Sequence, residues 1–210
     1  VPTVPVVPVP VNEYAPHADA AALVAATYQD MFGRPPTSEE SIEAVADLNG
    51  PTTPASWVNG LIKSPEYEAH LGGLTRLYRA YFLRDPDQSG LDFWSARVLD
   101  GRWTLPQVSN FFAKSNEFKT RYGSLDNDEF VRLVYKNVLG RPGETSGIDF
   151  WTTQLDSGAK TRGQVMLGYS DSSENKRVTR GRVDAIITTY ALLLRVPTSG
   201  EITNWSSLPG

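Results

Sequence analysis

The sequence contains no cysteine. Disulfide scaffolds, thiolate nucleophiles and zinc sites built on sulfur are therefore excluded, while both reducing and oxidising compartments stay open. Histidine is almost as scarce. His17 and His70 are the only two; neither has a neighbouring serine suited to a triad, and their spacing fits no regular metal-ligand pattern. A glycine-rich phosphate loop is missing as well. No apolar run approaches the ~18 residues needed to cross a bilayer, so no transmembrane segment is expected. Positive charge does not dominate: 20 Lys and Arg face 24 Asp and Glu, for a net charge of −4. Such a balance lacks the broad basic face that neutralises a phosphate backbone, and nucleic acid is not an expected partner. What remains, 40% hydrophobic and 21% charged residues over 210 positions, suits a globular protein with a packed core.

The first stretch, VPTVPVVPVPVNEYAP, alternates Val and Pro almost to Pro10. Each proline fixes φ, lacks an amide donor and pushes its predecessor toward extended geometry. Residues 1–18 are expected to form a stiff stalk or linker, acting as a tether or as a spacer alone.

Self-similarity organises the rest. YRAYFLRDPDQSGLDFW at Tyr78–Trp94 overlays YKNVLGRPGETSGIDFW at Tyr135–Trp151, with an offset of 57 residues. Arg84, Gly90, Asp92, Phe93 and Trp94 fall on Arg141, Gly147, Asp149, Phe150 and Trp151. A diverged earlier copy keeps Tyr28 and Arg34 at the same spacing, and a fourth keeps Arg195 and Trp205. The expected boundaries are 19–72, 73–124 and 125–180 for three copies and 181–210 for a partial fourth.

Within each copy the periodicity is helical. Phe130, Val131, Val134, Tyr135 and Val138 form one stripe of a first helix, ending near a Gly or Pro. SGLDFWSARVLDG and SGIDFWTTQLDSG give a second helix that stops at Gly101 and Gly158. Thr104 with Gln107, and Thr161 with Gln164, form the T-x-x-Q capping box of a third, and Thr53 takes that place in the first copy. The expected fold is all-α: tandem three-helix repeat modules packed into one helical domain, preceded by the Pro/Val-rich extended segment.

LRDPDQSG, from Leu83 to Gly90, resembles the start of a calcium loop, with Asp85, Asp87 and Ser89 as candidate ligands. A twelve-residue loop would nevertheless end on Ala96, where a bidentate glutamate is needed. The third copy has Pro142 at the first position. Ser89 with Asp92, and Ser146 with Asp149, persist as an S-x-x-D arrangement suited to a helix start. The expectation is a cap, with no metal and no cofactor.

A helix, then GRxPDxxGxxFW, then S-x-E-F, resembles the bacterial family of domain of unknown function 4214. The second copy carries the pattern most fully, in Arg84, Pro86, Asp87, Gly90, Trp94, Ser115, Glu117 and Phe118. The third departs at Gly143, Glu144 and Asn175, and the first holds Glu40 and Ala44 at the Gly and Trp positions. The resemblance spans most of residues 22–205 and implies a repeated helical module of secreted and surface-layer proteins, similar to phycobilisome linker domains. It carries no catalytic residues.

The shared charges suggest structure. Arg84 and Glu117 are 33 positions apart, as are Arg141 and Glu174, while Arg34 and Glu66 are 32 apart. Each pair could join the end of helix one to the end of helix three, the arginine favoured by the helix dipole and oriented by a carboxylate. Trp94, Trp151 and Trp205 share one repeat position and are expected in the core, as is Trp57 beside Val108 and Val165. Trp103 has no repeat counterpart, since the matching positions hold Thr52 and Lys160. Beside Arg102 it is the candidate ligand platform, against the alternative of a ring folded over its own loop.

These features suggest a non-catalytic secreted or cell-surface module for binding, adhesion or assembly, with a surface glycan or another extracellular protein as partner. The alternative is a glycan-active hydrolase using an acidic pair such as Asp85 with Asp87, or Asp126 with Asp128 and Glu129.

Overall fold

A computed structural model describes residues 12–193 and Gly200. Every regular element among the described residues is helical. The chain divides into two compact units, Val1–Leu61 and Ile62–Gly210. Most of the expected stalk and the position of Trp205 lie outside the described residues.

In the first unit, α1 (Ala20–Phe32) begins where the Asp19 carboxylate accepts the Ala22 amide, and ends at Gly33 with φ 67°. α2 (Ser38–Leu48) starts on a full capping box between Thr37 and Glu40. Thr53 caps α3 (Pro54–Ile62), its hydroxyl accepting the Ser56 amide at 3.2 Å. Val24, Tyr28 and Phe32 of α1, Ala44 and Leu48 of α2, and Trp57 of α3 are buried.

The second unit opens with α4 (Pro65–Tyr67), which continues through a π-helical turn, Glu68–Gly72, into α5 (Gly73–Phe82). α6 (Gln88–Leu99), α7 (Leu105–Phe112) and α8 (Asn116–Tyr122) follow. α9 (Asn127–Val134) continues through a second π turn, Tyr135–Leu139, and α10 (Thr145–Asp156), α11 (Arg162–Ser170) and α12 (Ser173–Leu193) complete the order. α11 packs on α5 and α7, α10 on α9, and α12 on α5. Leu74, Leu77, Tyr81, Phe130, Val165 and Met166 lie at the centre of the core, fully withdrawn from water. Burial of each such side chain contributes about 1.5–3 kcal/mol relative to exposure. Two buried hydroxyls of the core are satisfied in place: that of Tyr81 donates to the Ser109 carbonyl at 2.8 Å, and that of Ser109 to the Gly163 carbonyl at 2.8 Å.

Two expected boundaries differ from the helices observed. Residue 72 lies within the continuous run from Pro65 to Phe82, and residue 180 lies within α12. Gly72 and Gly73 do not stop the helix. A Cβ at Gly73 would collide with Leu105, so this glycine permits close packing inside a helix. The expected third helix of the second copy is in fact two, α7 and α8, because the Ser115 hydroxyl accepts the Phe118 amide at 3.1 Å and starts a new helix.

Candidate functional site

The matching positions of the sequence copies build one local device. Before each arginine the chain turns through a left-handed residue, Gly33 (φ 67°), Leu83 (φ 55°) or Gly140 (φ 70°), which ends the first helix. The arginine then lies over the ring of the copy's tyrosine: Arg34 over Tyr28 at 5.3 Å, Arg84 over Tyr78 at 5.7 Å and Arg141 over Tyr135 at 5.5 Å. The tyrosine explains the next glycine, because a Cβ at Gly90 or Gly147 would collide with the hydroxyl of Tyr78 or Tyr135.

Carboxylates complete the device differently in each copy. Arg141 grips Glu174 with two hydrogen bonds, 2.6 and 2.8 Å, and also meets Glu144 at 2.7 Å. Hydrogen bonds from Arg141 hold the Glu174 carboxyl below its usual pKa. Arg84 meets Glu117 more loosely, at 3.5 Å, with both side chains over 40% exposed, and reaches Asp87 at 3.1 Å. Arg34 makes a two-pronged contact with Glu40, 2.8 Å in each arm, whose hydrogen bonds lower the Glu40 pKa to about 2. Glu66 falls in the other unit from Arg34. The S-x-E element has a second purpose: Ser64, Ser115 and Ser172 each accept the amide three residues on, at 3.1–3.2 Å, and so start a helix.

The aspartates of LRDPDQSG are consumed by arginine and backbone. Burial pushes the Asp85 carboxyl upward, but hydrogen bonds from Arg182 and Arg79 outweigh it and leave the pKa below its ordinary value. Arg79 donates at 2.7 Å and Arg182 at 2.9 Å, tying α12 to the end of α5. Asp87 is the cap of α6. It accepts the Gly90 amide at 2.8 Å and the Ser89 hydroxyl at 2.8 Å, both of which lower its pKa. This corrects the expected S-x-x-D cap, since Ser89 and Ser146 lie inside the first turn of α6 and α10. The capping position is three residues after the arginine in each of the three described copies, occupied by Thr37, Asp87 and Glu144. Among the described residues no group of three His, Cys, Asp or Glu side chains could hold a metal ion. Asp126 and Glu129 form a capping box at α9, and Asp128 pairs with Arg132.

Trp103 is not an exposed platform. Its ring is partly buried, edge-on to Trp94 at 5.3 Å and to Phe111 at 5.9 Å, and its amide donates to the Arg97 carbonyl at 2.9 Å. Arg102 beside it is 63% exposed and paired with Asp100. Trp94 and Trp57 are buried, and Trp151 is partly buried against Tyr169 at 5.7 Å. The exposed aromatics are instead Phe93 of α6, 47% exposed, Phe111 of α7, 52% exposed, and Phe150 of α10, 56% exposed; the first two pack against Trp94 and the third against Trp151. The Arg97 guanidinium lies 3.4 Å from the centre of the Phe93 ring. Phe93, Phe111, Trp103 and Trp94 thus form one aromatic cluster with two rings open to water. Sequence could have indicated this, because adjacent residues of a helix point about 100° apart and an amphipathic helix cannot bury both members of a Phe-Trp pair.

These positions also decide what the chain is similar to. Residues 109–179 match the family model described as domain of unknown function DUF4214. The DUF4214 match runs from α7 into α12. It takes in Ser115, Glu117 and Phe118, the Tyr135–Arg141–Glu174 device and Trp151, so the family resemblance holds over that segment. No curated protein and no solved structure matches the chain.

Proposed function

We propose that this protein is a non-catalytic, secreted or cell-surface module for binding, adhesion or assembly, and that it holds a surface glycan through the Phe93–Phe111 cluster. The observation that carries this reading is the pair of half-exposed phenylalanines on a buried tryptophan base, with Trp103 and Arg97 packed around them. Rings fixed from behind present apolar area at little entropic cost, and neighbouring guanidinium groups supply donors to hydroxyls. The location rests on the resemblance to surface-layer modules and on the Val/Pro-rich segment at residues 1–18. Against the hydrolase stands the state of its best acidic pair. A glycosidase needs one carboxyl raised to act as an acid, yet Asp85 and Asp87 are both lowered and both engaged.

The test is a glycan array with the intact chain, followed by the Phe93→Ala/Phe111→Ala double variant on each glycan retained. The expected result is a loss of about 2 kcal/mol of binding, roughly thirtyfold, with the melting temperature nearly kept. Retention of no glycan, or full binding by the double variant, rejects the assignment.

A further inference from the structure

A second feature of the Ile62–Gly210 unit shares no residue with the aromatic cluster. A cleft of about 380 Å³ is lined by five cationic side chains: Lys63 after α3, Arg76 of α5, and Lys176, Arg177 and Arg180 of α12. Glu68 and Asp184 are the acidic groups in its wall. In a chain of net charge −4 this is a local reversal of sign.

The arginine at its base is the least expected of the five. Arg76 is 2% exposed, bound to Glu68 and, at 3.2 Å, to Asp171, and its Nε is buried with no hydrogen-bond partner among the described residues. An unsatisfied buried donor destabilises the fold unless something else accepts from it. Asp171 is shared, since Lys176 also reaches it at 2.8 Å. Arg180 finds Asp184 only at 3.8 Å. Lys63 and Arg177 make no ion pair within 4 Å among the described residues, acting on Asp184 and Glu174 only from farther off. Lys176 and Arg180 lie four apart on one helix face, where like charges repel and weaken the helix. The fold thus gathers more positive charge here than its own carboxylates neutralise.

We propose that this cleft binds a sugar carrying a sulfate or phosphate monoester, with the oxyanion on Lys63, Arg177 and Arg180 and the sugar hydroxyls toward Glu68 and Asp184. The volume belongs to the small-ligand range of about 300–1,000 Å³, which leaves room for a sugar ring beside the charged group. Arginine and lysine from separate elements provide the fork and point-charge donors that such oxyanions take. The proposal does not depend on what the aromatic cluster binds.

Titration calorimetry on the intact chain with glucose 6-phosphate, glucose 6-sulfate, inorganic phosphate and glucose tests it. The two esters should bind saturably, inorganic phosphate at least tenfold more weakly, and glucose not at all. Lys63→Glu and Arg177→Glu should each weaken the esters tenfold or more, while Arg132→Glu, an exposed reversal on α9, leaves them unchanged. Circular dichroism shows whether each variant is folded. Comparing phosphate with sulfate identifies the source of the oxyanion. Absence of saturable ester binding, equal affinity for inorganic phosphate, or ester affinity indifferent to both cleft reversals would overturn the assignment.

Discussion

Leu83 holds a left-handed backbone, φ 55°, that glycine holds at the matching positions 33 and 140. A side chain in that region costs roughly 1–2 kcal/mol through the contact of its Cβ with the following carbonyl. Leu83 is also 43% exposed, so little apolar burial offsets the strain. Leu83→Gly should therefore stabilise the protein by about 0.5–1 kcal/mol in urea unfolding, after allowing for the greater freedom of glycine in the unfolded chain. Gly140→Ala should destabilise it by about 1 kcal/mol. A Cβ there meets nothing within 4 Å, which leaves φ as the cause. A loss of stability in Leu83→Gly would show that the leucine contributes more by packing than it costs in the backbone. The same scale separates Trp103 from the exposed aromatics. An unmatched tryptophan between helices resembled a platform in sequence, but two neighbouring rings and a backbone hydrogen bond fold it inward.

Helix starts are where sequence and structure diverge most usefully. Asp87→Ala should cost about 1 kcal/mol through loss of the α6 cap, whereas Ser89→Ala should stay within about 0.5 kcal/mol, because Ser89 bonds Asp87 and no free amide. Ser115→Ala should cost about 1 kcal/mol as well, and Ser115→Asp should restore most of it. Equal effects at Asp87 and Ser89 in urea unfolding would return the cap to the S-x-x-D pair. The T-x-x-Q boxes at Thr104 and Thr161 were legible because both partners are local and their spacing is fixed. The break between α7 and α8 was not, since LPQVSNFFAKSNEF is apolar at helical spacing on both sides and only the Ser115 hydroxyl decides it. The copy boundary at residue 72 falls inside a continuous helical run, where Gly73 permits close packing against Leu105. The basic cleft was half legible: Lys176, Arg177, Arg180 and Arg182 cluster in an acidic chain, but nothing local brings Lys63 and Arg76 to them.

For the whole molecule the charged contacts set a pH window. Glu40, Asp85, Asp87 and Glu174 all have folded pKa values below those of the unfolded chain. A depressed carboxyl contributes stability that is fully present above its unfolded pKa and is lost as pH falls through the folded value. For Glu40 that window runs from 4.5 down to about 2, the value set by the hydrogen bonds of Arg34. Tyrosines act at the other end. Burial raises Tyr78 and Tyr190 from 10.0 to about 12, so their contribution is complete below 10 and is lost as pH rises toward 12. Asp184 has the opposite sign from the other acids, and its raised pKa makes it a small gain on acidification. Those four lowered carboxyls, with Asp100 as a fifth, outweigh that one. Urea midpoints should therefore be flat from about pH 5 to 9, fall steadily below pH 4 and fall again above pH 10. Glu40→Gln should flatten the acid limb, whereas Tyr78→Phe should flatten only the alkaline one. A midpoint that rises on acidification from pH 5 to 3 would mean that the arginine contacts of Glu40, Asp85 and Glu174 do not hold those carboxyls ionised in solution.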